Sequence, residues 1–448
     1  MFPPDGSGGA QMIGPVARSG KVVKWQGGKV IELARRPRRL SDCHLVLYHT
    51  LLFRHFATLP LLPYRPPMHK TPLFDFHTQH KAHMVDFAGW NMPLYYGSPS
   101  DGGGLTNEHV QVRKSGGLFD VSHMGRVKVS GRHSRKFLER LCTRKIHDMA
   151  AGQCRYSLVC NEQGGVKDDV IVYRYDDDDF MVVVNASNRE KLLAHMEQVR
   201  SSGDLSCKIV DQTFDTSMVA LQGPAIIPLI GKFSKEIPSL KKYRFAVKNL
   251  MIIKLTVSRT GYTGEDGVEV VLPAGMTGLA MKFLLQDVDV SKPDAIIKPA
   301  GLGCRDTLRT EAGMPLYGHE LGEEVNALEC GVDFAISLDK AEDGKGEAFV
   351  GYEALKRTAA AGPARKLVGL IIDGKRAARQ GATIMQNGKQ IGVVTSGCPS
   401  PTIGSCIAMG FAARDTANIG DAVEVDTGKG TLAAKVVAMP FYKAPKPA

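Results

Sequence analysis

The sequence predicts an α+β protein that ends in an all-β unit, and three stretches carry that prediction. Between residues 126 and 211, strand-like runs are mixed with helical spacing and punctuated by glycine and aspartate turns. A second unit of the same kind spans 218–272. Beyond about residue 362 the chain breaks into short strands with glycine turns, the pattern of a small β-barrel or jelly roll. Strands and helices do not alternate regularly, so a doubly wound parallel sheet is not expected.

In chain order, residues 1–67 stand apart. They are glycine-rich at the start and hold ten Lys/Arg against three acids, most of the formal net charge of +11. This basic composition reads either as an organellar transit segment or as sequence upstream of a true start at Met68, and no packed domain is expected there. Thr71-Pro72 before Leu73, Phe74, Phe76 and His77 reads as a helix with proline in its first turn. Strands are expected at 126–129, 156–160, 169–175, 180–185 and 208–211, with helices at 134–141 and 189–200. The second unit holds strands at 218–221, 250–258 and 267–272 and a helix at 224–231. The C-terminal strands are expected at 367–372, 392–397, 407–411, 422–425 and 432–437.

Composition removes several function classes. A length of 448 residues fits two to four compact units. With 43% hydrophobic and 23% charged residues and no apolar run of about 18, no membrane span is expected. Outside the N-terminal segment the charge is nearly balanced, and no zinc finger, basic zipper or RNA-binding signature occurs, so nucleic acid is not an expected partner. Nine cysteines without a C-x-x-C pair suit a reducing compartment, where most act as small buried hydrophobes.

Three tempting motifs fail. Gly14 to Lys21 has a phosphate-loop flavour, but the spacing is wrong and Val22 stands where a magnesium-binding hydroxyl is needed. His77, His80 and His83 could grip a metal from one helix face, yet no glutamate general base lies between them. The acids 176–179 lack the ligand spacing and turn glycine of a calcium loop and read as a solvated hairpin tip.

Three constellations remain. In the stretch 161–173 a Gly164-Gly165 turn feeds Asp168 and Asp169 straight into an apolar strand, where period-2 alternation sends the carboxylates to opposite faces. One of them must lie near a buried surface, as a turn cap or as a functional carboxylate. In 258–269, a polar loop with Gly261, Gly264 and Gly267 leads to Glu269 at a strand start; it reads as an ordinary hairpin, or as a close approach to a planar ligand with Glu269 on its aminopyrimidine edge. In 301–313 a helix follows a glycine turn with Arg305, Arg309 and Glu311 close together, suiting an internal ion-pair network or anion recognition.

Together these segments resemble the glycine-cleavage T-protein family. The matching blocks are collinear: KTPLFDFH (70–77), MVDFAGWNMPLYY (84–96), VRKSGGLFDVSHMG (112–125), GGVKDDVIVY (164–173), VVNASN (183–188), LQGP (221–224), SRTGYTGEDGVE (258–269), GLGCRDTLRTEAGMPLYG (301–318), GVVTSGCPSPT (392–402) and MPFY (439–442). The departures are Thr310, Cys304 and Asp333-Phe334, which look peripheral, and a tail lacking a later tyrosine, for which Lys443 is a candidate substitute.

The resemblance implies a three-domain cloverleaf with a central folate channel. It implies an N-terminal extension at 1–67, a discontinuous α+β domain from 70–120 and 210–310, a second α+β domain at 121–209, connecting helices at 311–361 and a β-barrel domain at 362–448. It further implies an aminomethyltransferase that moves a one-carbon unit from the lipoyl arm of the H-protein to tetrahydrofolate, with no metal, in the mitochondrial matrix. Asp169 matches the key carboxylate; Glu269 and Arg305 match ligand contacts; Met124, Tyr156, Val183 and Asn185 match channel-lining positions, with Tyr262 beside them. Related folate domains of dimethylglycine and sarcosine dehydrogenases carry an upstream flavin domain, for which 1–67 is too short and lacks G-x-G-x-x-G. The folate-binding iron–sulfur assembly factors carry a K-G-C-[YF]-x-G-Q-E loop that is absent here.

Overall fold

The computed structural model describes residues 67–250, 252–285, 290, 292–342 and 344–445, and the short strands Lys24–Gln26 and Lys29–Ile31. The chain divides into the units Met1–Pro66 and Pro67–Ala448. In the first, the two short strands pair antiparallel; the expectations for the remainder of 1–66 fall outside the described residues.

In the second unit, period-2 patterning builds two sheets. The chain runs antiparallel through Gly125–Ser130, Gln153–Cys160, Val166–Asp176, Asp179–Val184 and Lys208–Asp211 to form a five-stranded sheet. Val127, Val129, Val170, Val172, Phe180, Val182 and Val184 turn to one face and pack under the helices Ser134–Leu141 and Arg189–Ser202. Cys154, Tyr173, Met181 and Val183 turn to the other.

That second face meets a six-stranded sheet ordered Phe245–Leu250, Ile253–Ser258, Gly267–Pro273, Thr216–Gln222, Gly117–Asp120 and Lys298–Pro299. All neighbours are antiparallel except the last pair. Phe119, Met218, Ala220 and Val271 of this sheet share one core with Tyr173, Met181 and Val183 of the other. Each large apolar side chain so buried contributes about 1.5–3 kcal/mol relative to exposure. The two sheets therefore face each other, and the chain crosses between them through residues 121–124 and returns through 212–215.

The C-terminal strands close into a barrel in the order Arg365–Ile372, Ser405–Ala413, Lys389–Ser400, Thr383–Gln386, Ala422–Asp426 and Thr431–Val437. Closure removes the free edges and decides for a barrel over a jelly roll. The segment 311–361, expected as connecting helices, differs: its described residues hold one α-helix, Tyr352–Ala361, and two single 3-10 turns, Ala327–Glu329 and Asp333–Ala335. Gly313, Pro315, Gly318, Gly322 and Gly331 interrupt the rest before a helix can propagate.

The expected helix after Thr71-Pro72 spans only Phe74–Gln79. His77, His80 and His83 consequently do not share a helix face. His77 is buried between Asp120 Oδ2 and the Tyr96 hydroxyl, each at 2.8 Å. His80 caps the helix, and His83 stacks on Tyr95 from the following strand, Ala82–Phe87. Among the described residues no group of three or more His, Cys, Asp or Glu is arranged to hold a metal ion, and no helix is long and apolar enough to cross a membrane.

Candidate functional site

The Gly164-Gly165 turn can lead into its strand only without side chains. Gly164 has φ +82°, and a Cβ on Gly165 would lie 1.8 Å from the Glu323 carbonyl oxygen. From this turn the strand Val166–Asp176 places Asp168 and Asp169 on opposite faces. Asp168, fully buried on the helix-covered face, accepts from Asn185 Nδ2 (2.8 Å), Asn188 Nδ2 (2.7 Å) and the Asn185 backbone N–H (3.0 Å). Burial first, and then the neighbouring Asp169 charge, raise its pKa to about 7.

Asp169 lies on the face turned toward the six-stranded sheet. Its Oδ1 accepts from Asn185 Nδ2 at 2.6 Å and its Oδ2 from the Tyr156 hydroxyl at 3.1 Å. Burial raises its pKa above the ordinary carboxylate value, against these two hydrogen bonds. Burial and the Asp169 charge push the Tyr156 phenol well up, so it stays a donor at neutral pH. Asn185, expected as a lining residue, has its amide engaged with both carboxylates.

Register carries the rest. On the opposing sheet Glu269 pairs with Ala220, and Ala220 in turn with Phe119, so Glu269 shares the inward face. Its Oε2 accepts from Thr260 Oγ1 at 2.6 Å. A hydroxyl chain from Thr260 to Ser258 (2.7 Å) and on to Tyr173 (3.1 Å) links it to the Asp169 sheet. Glu269 Oε1 accepts no hydrogen bond among the described residues.

Arg305 rises from the first turn of the helix Leu302–Glu311, with its guanidinium carbon 4.9 Å from the centre of the Tyr262 ring. Burial lowers its pKa, opposed by Glu269 and Tyr262, and its Nη1 is buried without a hydrogen-bond partner. The Tyr262 hydroxyl donates to the Pro315 carbonyl. Arg309, one turn further on, is instead a structural tie, donating to Glu320 at 3.1 Å and to Ser396 of the barrel at 2.8 Å. Glu311 binds Arg113 (2.9 Å) and His109 (3.1 Å); burial would raise its pKa, but these partners hold it down at about 2. The internal ion-pair network of 301–313 is thus built by Arg309 and Glu311, and Arg305 stands outside it.

Met124 and Val183 pack into the same inter-sheet core, Met124 from the crossing segment. Met124, Tyr156, Asp169, Ile171, Asn185, Tyr262 and Arg305 each keep accessible surface, while most of their neighbours in that core are fully buried. An inward-facing set with surface to spare marks a recess between the sheets. Of the eight sequence-predicted residues, Met124 and Val183 pack in this core, Tyr156 and Asn185 hold Asp169, Arg305 lies over Tyr262, and Glu269 faces inward from the opposing sheet.

Residues 73–340 match the GCVT N-terminal domain, and residues 365–443 match the glycine cleavage T-protein C-terminal barrel domain. The chain belongs to the glycine cleavage T-protein family. It is 42% identical over 381 residues to the aminomethyltransferase of Rubrobacter xylanophilus, covering 85% of this chain and 95% of that one. It is 37% identical to the aminomethyltransferase of Bacillus subtilis, covering 84% and 99% of the two chains. Among solved structures, glycine cleavage system aminomethyltransferase T from Bartonella henselae aligns with a TM-score of 0.75 and 30% identity over 84% of this chain and 99% of that chain.

Within this T-protein framework two details escaped the sequence reading. Phe334, set aside as peripheral, lies with its ring 5.8 Å from Tyr156, although it is 62% exposed. His123, beside Met124 in the crossing segment, and Arg126, in the strand Gly125–Ser130 that follows, are both buried. In sequence they lie in the mixed stretch 118–129, alongside Asp120, Ser122 and Lys128, and only the fold shows that this stretch bridges two sheets.

Proposed function

We propose that the chain transfers the aminomethyl carbon carried on the lipoyl arm of the H-protein to tetrahydrofolate, giving 5,10-methylenetetrahydrofolate and ammonia. The observation that carries this reading is the Asp169 carboxylate, half-buried, held by Tyr156 and Asn185, and set on the face opposite Glu269 and Arg305. The donor set fits the acceptor substrate: Glu269 Oε1 is open to an aminopyrimidine N–H, and Arg305 Nη1 is an unpaired donor.

Two bonds form, from folate N5 and N10 to the transferred carbon, and its bonds to nitrogen and sulfur break. The two N–H protons given up by folate balance those gained by the departing ammonia and the lipoyl thiol. Asp169 stabilises positive charge building on the carbon and manages the folate proton, while Tyr156 and Asn185 fix its orientation. Glu269 anchors the pterin edge, and Arg305 orients polar groups around it.

The test is ammonia release and methylene-folate formation with aminomethyl-loaded H-protein and tetrahydrofolate. Both products are expected in equal amounts; their absence with intact partners would reject the reading. Glu269→Ala is expected to weaken tetrahydrofolate binding by about 1.5–3 kcal/mol, the range for hydrogen bonds to a charged group, and unchanged affinity by calorimetry would remove Glu269 from the pterin site.

Because Asp169 works ionised and burial raises its pKa, kcat/KM is expected to climb with pH through an acidic limb above the ordinary carboxylate range. A limb at the ordinary aspartate value in a pH–rate profile would contradict that environment. The relatives named above are bacterial and lend no support to a mitochondrial address or a transit segment at 1–67; that expectation stands on the composition of the segment and the resemblance alone.

A further inference from the structure

We propose that His123 is a further substrate-contacting residue of the recess, acting with Arg305 to hold a planar amide or lactam edge of the acceptor substrate. This rests on the reading of the recess as the tetrahydrofolate site. His123 lies in the crossing segment next to Met124 and is only 3% exposed, yet its Nδ1 has no hydrogen-bond partner. Arg305 Nη1 is in the same condition. Leaving a buried polar atom unpaired costs about 1–3 kcal/mol, and native folds keep few such atoms.

The two orphans are neighbours in the electrostatic sense, since the Arg305 charge acts on the imidazole. Burial foremost, joined by the Arg305 and Arg126 charges and opposed by Asp120, lowers the His123 pKa to about 4, so the ring is neutral at physiological pH. The unpartnered Nδ1 of a neutral imidazole and the unpartnered Nη1 of a guanidinium supply one acceptor and one cationic donor. An N–H next to a carbonyl oxygen satisfies both at once, which a carboxylate or phosphate does not. The packing around the ring supports a fixed orientation: Phe87 meets it edge-on at 5.4 Å between centroids.

The experiment titrates tetrahydrofolate into wild type, His123→Leu and His123→Asn by calorimetry at neutral pH, with thermal unfolding of each in the absence of folate. His123→Leu is expected to weaken binding at least about tenfold, while the midpoint of the unliganded protein holds or rises because an unpaired polar atom has gone. His123→Asn keeps a hydrogen-bonding atom near Nδ1 and is expected to recover most of the affinity. Unchanged affinity in both variants overturns the proposal, and so does a leucine variant that loses its fold, which would mark a structural histidine. Wild-type protein that takes up no tetrahydrofolate would defeat the proposed function itself, a result distinct from equal binding by wild type and variants.

Discussion

Asp169→Asn is expected to lower turnover about 100- to 10,000-fold, the range for removing a positioned acid–base group, while tetrahydrofolate still binds. The substitution is nearly isosteric. Its amide can still accept from Asn185 and meet the Tyr156 hydroxyl, so the strand and its neighbours need not move. What is lost is the negative charge and the ability to take a proton. Single-turnover kinetics with loaded H-protein separate this from a folding defect, because the loss should fall on kcat with little change in KM. Near-normal turnover would strip Asp169 of its role.

The second large effect is structural. Arg126 is fully buried and faces backbone oxygens: it donates to the Ser122 and Thr216 carbonyls, each at 2.8 Å, and to those of Met124 and Thr213. Its Nε donates to Thr216 Oγ1 at 2.9 Å. Burial lowers its pKa to about 10, which leaves it cationic at neutral pH. It fastens the outgoing segment 121–124 to the returning segment 212–215, alongside the backbone bonds of Arg126 itself to Thr213 Oγ1 (3.1 Å) and from the Gln212 N–H (2.8 Å). Arg126→Met leaves several buried carbonyls without a donor at roughly 1–3 kcal/mol each, and a total loss of about 3–5 kcal/mol is expected. Denaturant unfolding reads the loss, and folate affinity should fall with it as Met124 is released. A variant as stable as wild type would show that the crossings are held elsewhere.

Period-2 alternation made much of this molecule legible before any coordinates. It separated Asp168 from Asp169, and it marked the five-stranded sheet down to Lys208–Asp211, because half-buried antiparallel strands repeat every second residue. Other parts left no such trace. The strand Phe245–Leu250 is not marked in the sequence and merges with Ile253–Ser258 into one run from 250, because the intervening Met251 and Ile252 are not turn-forming residue types. Thr383–Gln386 is too short for alternation to register, even though Asn387-Gly388 follows it. Segment 311–361 is held by long-range contacts, such as Lys340 Nζ on the Glu139, Cys142 and Arg144 carbonyls, which local spacing does not encode.

The site divides in the same way. A glycine turn before a strand or helix start marked the Asp168-Asp169 pair, Glu269 and the Arg305/Arg309 helix, while the choice of Asp169 over Asp168 and of Arg305 over Arg309 rests on the family resemblance. That Asn185 supports both carboxylates, or that Arg126 holds the crossing, depends on residues brought together from distant parts of the chain.

The most direct measurement is a structure of the protein with tetrahydrofolate bound. The account expects the reduced pteridine between the two sheets, with the Asp169 carboxylate in hydrogen-bond reach of it and Glu269 on its aminopyrimidine edge. Folate seated elsewhere, for instance in the basic groove of the barrel lined by Lys375, Arg376, Arg379 and Lys429, with Asp169 touching only Tyr156 and Asn185, would contradict it.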